Sequence, residues 1–200
     1  MNKKDLTLDL FKVKCIKFGD FTLKSGMKSP IYIDLRVLVS YPKILKKVAK
    51  AYISILKDLK FDRIAAIPYA ALPIASSISL LSSWPMIYTR KEIKDYGTKK
   101  PIEGEFKPGD KVVVVDDIVT TGASKIEVID PLTKAGLKVR DIVVLIDREQ
   151  GGKEQLEGKG YHLHSVLGLN EVLEVLLRKG KITKKEQEAT RDFLARNRVR

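Results

Sequence analysis

Apolar residues follow two different rhythms along this chain. From Lys3 to Val13, the positions Leu6, Leu10 and Val13 recur at helical spacing and predict an amphipathic helix. The stretch CIKF-GD-FTLKS then alternates apolar and polar residues on either side of Gly19-Asp20, the pattern of a β-hairpin with glycine at a positive-φ position. IYIDL (31–35) predicts a further strand. From Pro42, the positions Leu45, Val48, Tyr52, Ile55, Leu56 and Leu59 outline a second amphipathic helix with proline near its start. After residue 60 the rhythm changes. RIAAI (63–67), MIYTR (86–90), KVVVV (111–115) and VRDIVVLID (139–147) are largely apolar strands, as expected when both faces are buried in a parallel sheet under helices. Between them lie an apolar helix at 71–82, a polar loop at 91–109, and a helix at 123–135 closed by Gly136. Asn170 is expected to cap a short helix, and Thr183-Lys-Lys-Glu186 is a capping-box pattern for the last one. The expected class is α/β: a central parallel sheet flanked by helices, with an N-terminal helix-and-hairpin unit over residues 1–40, all within one domain, 1–200.

Composition narrows the class. The chain has 200 residues and 44% hydrophobic content, enough for a substantial core. No apolar run approaches the ~20 residues of a membrane helix, and MNKKDLTLDLFKVK makes a poor signal peptide because charges flank a very short apolar stretch. The single cysteine, Cys15, excludes an internal disulfide and a cysteine-rich metal site, and reads as a small buried hydrophobe. A cytoplasmic protein is expected. The formal net charge of +13 admits three explanations: a nucleic-acid partner, a highly phosphorylated small molecule, or the Lys- and Glu-rich surface of a heat-adapted protein. The charge is spread without a basic tract of five or more, which weakens the first. His162 and His164 stand at alternating strand spacing without a nearby cysteine or acidic cluster, so they read as structural rather than metal-ligating.

In a parallel sheet, ligands bind beyond the carboxyl ends of the strands. That rim would collect Pro68-Tyr69, Arg90-Lys91, Asp116-Asp117 and Asp147-Arg148. The segment VVVVDDIVTTGAS (112–124) carries the most chemistry. Ile118, Val119, Thr120, Thr121, Gly122, Ala123 and Ser124 lead from a strand end into a helix start. Small residues let several backbone N–H groups converge on one anion, while the helix terminus and hydroxyls assist. The loop is neither a Walker loop nor a dinucleotide fingerprint, because neither glycine pattern is present. Asp116 and Asp117 would repel phosphate, but two carboxylates suit the vicinal hydroxyls of a sugar. Cradle and acid pair together point to a ribose 5-phosphate unit. The plain alternative, an ordinary βα turn with Asp117 approaching a helix, explains one aspartate better than two.

VVVVDDIVTTGAS resembles the phosphoribosyl diphosphate (PRPP) motif of the type I phosphoribosyltransferases. FGDFTLKSGMKSPIYIDLR (18–36) resembles the N-terminal hood of the orotate phosphoribosyltransferase family, RKEIKDYGTKKPIEG (90–104) its catalytic loop, and LIDREQGGK (145–153) its base-binding strand end. The likeness covers nearly the whole chain and is similar to the phosphoribosyltransferase half of UMP synthases. It implies the type I phosphoribosyltransferase fold and the joining of orotate to PRPP in pyrimidine biosynthesis. PRPP would meet Arg90, Lys91, Lys94, Tyr96, Tyr69 and residues 116–124, with Lys91, Lys94, Asp116 and Asp117 as catalytic residues. Orotate would meet Lys24, Tyr32, Ile33, Thr120 and Arg148, whose guanidinium suits a carboxylate. Mg²⁺ would arrive on the diphosphate with no direct protein ligand, and a homodimer would share its cationic loop between subunits. Tyr96 stands where some relatives have histidine, and Ala70 where some have lysine, so no cation is carried over at 70. Neither a membrane nor a nucleic acid is an expected partner. Two alternatives keep the PRPP site: a purine or uracil transferase, which the hood and loop disfavour, and a PRPP-sensing nucleic-acid regulator, for which no helix-turn-helix pattern is present.

Overall fold

The computed structural model describes residues 2–23, 26–90 and 101–199. Helix α1 (Lys3–Lys12) is capped by Asn2, whose side chain accepts from the Lys4 amide at 3.0 Å. Its apolar stripe, Leu6 and Leu10, is fully buried. Strands β1 (Ile16–Thr22) and β2 (Lys28–Ile33) follow as an antiparallel pair. The hairpin expected around Gly19-Asp20 is not formed: the residues on both sides of it belong to one strand, β1, whose partner β2 starts at Lys28 and ends at Ile33, in place of the strand expected at 31–35. Strand β1 runs straight through those residues, which fall at a break in register between Phe18 and Phe21. The reversal comes later, where the Leu23 amide donates to the Met27 carbonyl at 2.9 Å. A glycine that tolerates positive φ serves a bulge as well as a turn. A short 3-10 helix (Leu35–Ser40) leads into α2 (Pro42–Leu56), with proline at its first position as expected.

The main sheet is built from β3 (Arg63–Ala66), β4 (Met86–Thr89), β5 (Ile102–Glu103), β6 (Lys111–Val119), β7 (Lys138–Asp147) and β8 (His162–Gly168). Their spatial order is β5-β4-β3-β6-β7-β8, parallel except for β5, which runs antiparallel to β4. Helices α3 (Ala71–Ser82) and α4 (Ala123–Lys134) connect β3 to β4 and β6 to β7. Helices α5 (Gly152–Glu157), α6 (Leu169–Arg178) and α7 (Lys184–Arg196) complete the chain. Strand β5 falls inside the stretch 91–109 expected to be a loop, and helix α5 has no counterpart among the expected elements.

The sheet is buried on both faces, as its apolar strands require. Along β6 the valines alternate: Val113 and Val115 join a core with α1, α2, α3 and α6, whereas Val112 and Val114 join a second core with Ile129 and Leu132 of α4. Cys15 is fully buried, and burial pushes its thiol up to about 12, so it behaves as an inert apolar group. The capping box at α7 is present in both directions, Thr183 accepting from the Glu186 amide and Glu186 from the Thr183 amide. Asn170 does not cap α6. The N-cap is Gly168, and the carboxylate of Glu149, far away in sequence, takes the Asn170 amide at 2.6 Å. Among the described residues no helix is long and apolar enough to cross a membrane.

The ends of segment 91–100 are tied together. The Arg90 amide donates to the Pro101 carbonyl at 2.8 Å, and the Arg90 guanidinium pairs with Glu103 at 3.0 Å. Lys24, Lys91, Lys94 and Tyr96 lie outside the described residues.

Candidate active site

Strands β3 and β6 are neighbours, but the chain leaves them in opposite directions along the sheet, β3 toward β4 and β6 toward β7. This is a topological switch point, where the crossover connections part and leave a crevice at the carboxyl ends of the strands. Two helices begin there, α3 after β3 and α4 after β6. Neither has a side-chain cap. Their first-turn amides point to the crevice and carry the positive ends of two helix dipoles, the arrangement that binds phosphate groups. At the start of α4, Gly122 has φ +83°, and a Cβ there would lie 3.0 Å from the Leu156 side chain and 3.2 Å from the Gly152 carbonyl. The glycine in TTGAS is thus demanded by both conformation and space. Before α3 the Pro68–Tyr69 peptide is cis, and Tyr69 is exposed on the rim.

The acid pair is divided by the pleat of the sheet. Strand β6 extends to Val119, past both aspartates, so successive side chains point to opposite faces. Asp116 turns to the α4 face and is buried. Its Oδ1 accepts from the Asp117 amide at 2.8 Å, and its Oδ2 forms an ion pair with Lys125, which is also buried. Its backbone carbonyl accepts from the buried Tyr52 hydroxyl at 2.6 Å. Asp117 turns to the other face and is only half-buried. It lines a cavity of about 290 Å³ with Ile33, Asp34 and Arg36 from the hairpin side and Pro68 and Tyr69 from the β3 loop. Each aspartate gives one oxygen to a backbone amide, Asp117 Oδ1 accepting from the Ile118 amide at 2.9 Å, and they differ in their remaining surroundings. Asp116 is occupied by the scaffold, and Asp117 is the one presented to the crevice. Burial, then the neighbouring Asp116 carboxylate, pushes the Asp117 pKa up to about 7.

Strand β7 brings Arg148 to the same rim, its amide donating to the Val119 carbonyl at 3.0 Å and so placing it next to Thr120. The Arg148 Nε and Nη2 are buried without a hydrogen-bond partner. Burial lowers the pKa of this guanidinium. Asp147 beside it is spent on the backbone, its Oδ1 accepting from the Glu149 amide at 2.7 Å. Two buried guanidinium nitrogens without partners are costly, and an anionic group that accepted from them would stabilise the site.

Of the described residues singled out from sequence, Ile33, Tyr69 and Asp117 share the cavity, and Ile118, Val119, Thr120, Thr121, Gly122 and Ala123 lead into α4. Ser124 lies in the first turn of that helix. Tyr32 packs on Phe21, ring centroids 5.5 Å apart, and is not among the cavity's lining residues. Arg90 is held by Glu103. Sequence reasoning overlooked Arg36 and Lys125. Arg36 lines the cavity, chelates Asp34 at 2.7 and 3.1 Å, and lies 3.3 Å from the Tyr32 hydroxyl. It closes the very segment that carries the hood resemblance, and that was its only signal. A larger cavity, about 710 Å³, lies at the opposite, amino-terminal end of β6, β7 and β8. His164 Nε2 sits there, 2.8 Å from Asp141 Oδ1.

Comparison with known proteins agrees with this geometry. The phosphoribosyl transferase domain model matches residues 37–160. An orotate phosphoribosyltransferase of Caenorhabditis elegans is 36% identical over 98% of this chain and 87% of its own length. The chain belongs to the orotate phosphoribosyltransferase family. Within that family, the bifunctional enzyme PyrF/PyrE of Nostoc sp. is 48% identical over 89% of this chain but only 37% of its own length. The structure of Leishmania donovani UMP synthase superposes with a TM-score of 0.90 at 47% identity, covering 98% of this chain and 43% of that one. The chain thus spans about two fifths of these longer relatives, and its fold is the phosphoribosyltransferase fold.

Proposed function

We propose that this chain is an orotate phosphoribosyltransferase: it transfers the phosphoribosyl group of PRPP to orotate, releasing diphosphate and forming orotidine 5-monophosphate, a step of pyrimidine biosynthesis. The observation that carries the base assignment is Arg148, a buried guanidinium with two unpartnered nitrogens beside Thr120 at the rim. Orotate brings a carboxylate to such a site, and adenine, hypoxanthine and uracil do not. In the reaction the bond from ribose C1 to diphosphate breaks and its electron pair leaves with diphosphate, while a ring nitrogen of orotate bonds to C1 and gives up its N–H proton to the departing diphosphate or to water. C1 gains positive character before the new bond is complete. Residues of this chain act by position and field rather than as nucleophiles. The amides at the start of α4 hold the 5-phosphate, Asp117 accepts from a ribose hydroxyl, and the loop at Pro68–Ala70 with the start of α3 faces the diphosphate.

The resemblance assigns Lys91 and Lys94 to the leaving group and Lys24 to orotate and diphosphate. Cations that reach the diphosphate as it departs neutralise it only in the closed state. Mg²⁺ fits as a passenger of the diphosphate. Asp116 has its oxygens engaged by Lys125 and a backbone amide, whereas Asp117 gives only its Oδ1 to the Ile118 amide, at 2.9 Å, and so has the freer carboxylate of the pair. Mg²⁺ characteristically keeps several waters and binds through few protein oxygens; when bound it would withdraw charge from the leaving group. The family resemblance also supports a cytoplasmic homodimer with a shared loop. The test is orotate consumption, followed spectrophotometrically with PRPP and Mg²⁺, against adenine, hypoxanthine and uracil. Turnover confined to orotate, and lost on chelation of the metal, is expected. Turnover of another base without orotate would overturn the assignment.

A further inference from the structure

The loop that carries Arg148 is pinched between two other parts of the chain. On its outer side runs segment 197–199, just after α7. The Val199 amide donates to the Gln150 carbonyl at 3.0 Å, the Gln150 side-chain amide donates to the Asn197 carbonyl at 3.3 Å, and Arg198 pairs with Glu154 at 2.6 Å. On the inner side lies the phosphate-binding loop. Two consecutive glycines make the sandwich possible. A Cβ on Gly151, whose φ is +94°, would fall 2.3 Å from the Val199 carbonyl oxygen. A Cβ on Gly152 would fall 2.7 Å from the Thr120 carbonyl oxygen. Bare backbone is therefore the spacer, with the 197–199 segment pressing on one face and Thr120 on the other. Gln150, Gly151 and Gly152 are all buried in consequence.

We infer that segment 197–199 is a positioning strap, with Val199 its key residue. It holds the 148–152 loop against Thr120 and thereby sets the Arg148 guanidinium in the place where the base is bound. Its contacts to the loop come mainly from backbone atoms, so the identity of the side chains at 197–199 matters less than the path of the chain. None of these residues lines the cavity that holds Asp117.

The inference deepens the proposed function and rests on it for its kinetic part, but it has a readout of its own. Amide hydrogen exchange should be followed in the whole protein, in a chain truncated after Arg196, and in Val199→Pro, which removes one N–H donor and fixes the local backbone. Exchange at 148–152 and 120–122 should become about 10-fold faster or more in both variants, while β3 and β4 stay protected. Val199→Ala, which keeps the N–H, should restore slow exchange. With orotate as substrate, KM for orotate should rise about 10-fold in the truncated chain, more than KM for PRPP does. Unchanged exchange at 148–152 in the truncated chain would overturn the strap, and so would equal rises in both KM values. Faster exchange in a protein whose intact form never turns over orotate would uphold the strap and sink the proposed function instead.

Discussion

Asp117 offers the sharpest test, because replacing it with asparagine should make the protein more stable while disabling it. Its carboxyl titrates at about 7, raised by burial and by Asp116, against about 3.9 in an unfolded chain. Between those two values the folded state binds the extra proton. Native stability is therefore full below pH ~4 and falls as pH rises toward about 7. Three pKa units correspond to a ceiling of about 4 kcal/mol at pH 8. The group keeps contact with solvent at the rim and sits beside the Asp116–Lys125 pair, so half of that, about 2 kcal/mol, is the expected penalty. Asp117→Asn keeps the shape and cannot ionise. Urea unfolding at pH 8 should show the variant more stable than the parent by about 2 kcal/mol, with the gap closing toward pH 4. Calorimetry at pH 8 with Mg²⁺ should show PRPP binding weakened at least about 10-fold, because a charge-assisted bond to the ribose is lost. A gap that does not grow with pH would refute the reasoning about burial. Full PRPP affinity in the variant would refute the role of Asp117.

Lys125→Met should lower the unfolding free energy by about 3–5 kcal/mol, since it strands the buried Asp116 carboxylate; adding Asp116→Asn should recover a large part, as read by urea denaturation. Arg148→Met should raise KM for orotate about 10- to 100-fold with KM for PRPP little changed, and it should not destabilise the fold, because the cation it removes is buried and unpaired. Lys94→Ala should reduce turnover far more than PRPP affinity, measured by steady-state kinetics beside calorimetry. Mixing Lys91→Ala chains with Asp117→Asn chains should restore activity in mixed dimers, and absence of rescue with heterodimers demonstrated would argue for a site contained in one subunit.

Much of the scaffold was legible because burial on both faces writes itself into sequence as unbroken apolar runs. The strands at 63–67, 86–90 and 139–147 and helix 71–82 stand within a residue or two of where the pattern puts them. The hairpin expected at Gly19-Asp20 failed for a local reason, since Gly19 signals a special backbone without saying whether it bends or bulges. The cap of α6 was illegible for the opposite reason: the Glu149 carboxylate that serves Asn170 arrives from another loop, and only the folded chain brings them together. Within the site, the tight strand-to-helix connection at 118–124 could be read from small residues after a buried strand. The division of labour between Asp116 and Asp117 could not, because it depends on β6 continuing four residues past the last valine of its run. Lys125 was hidden by the ordinary habit of lysines to face water.

The bond between Arg90 and Pro101 fixes the mouth of the segment between them at a single hydrogen bond's width. Residues can be added to or removed from the intervening stretch without disturbing the pairing of β4 and β5, and doubling its length would add only about 0.6 kcal/mol of closure entropy. Descendants of this fold are therefore free to vary the chain between residues 90 and 101 while keeping the same closing bond.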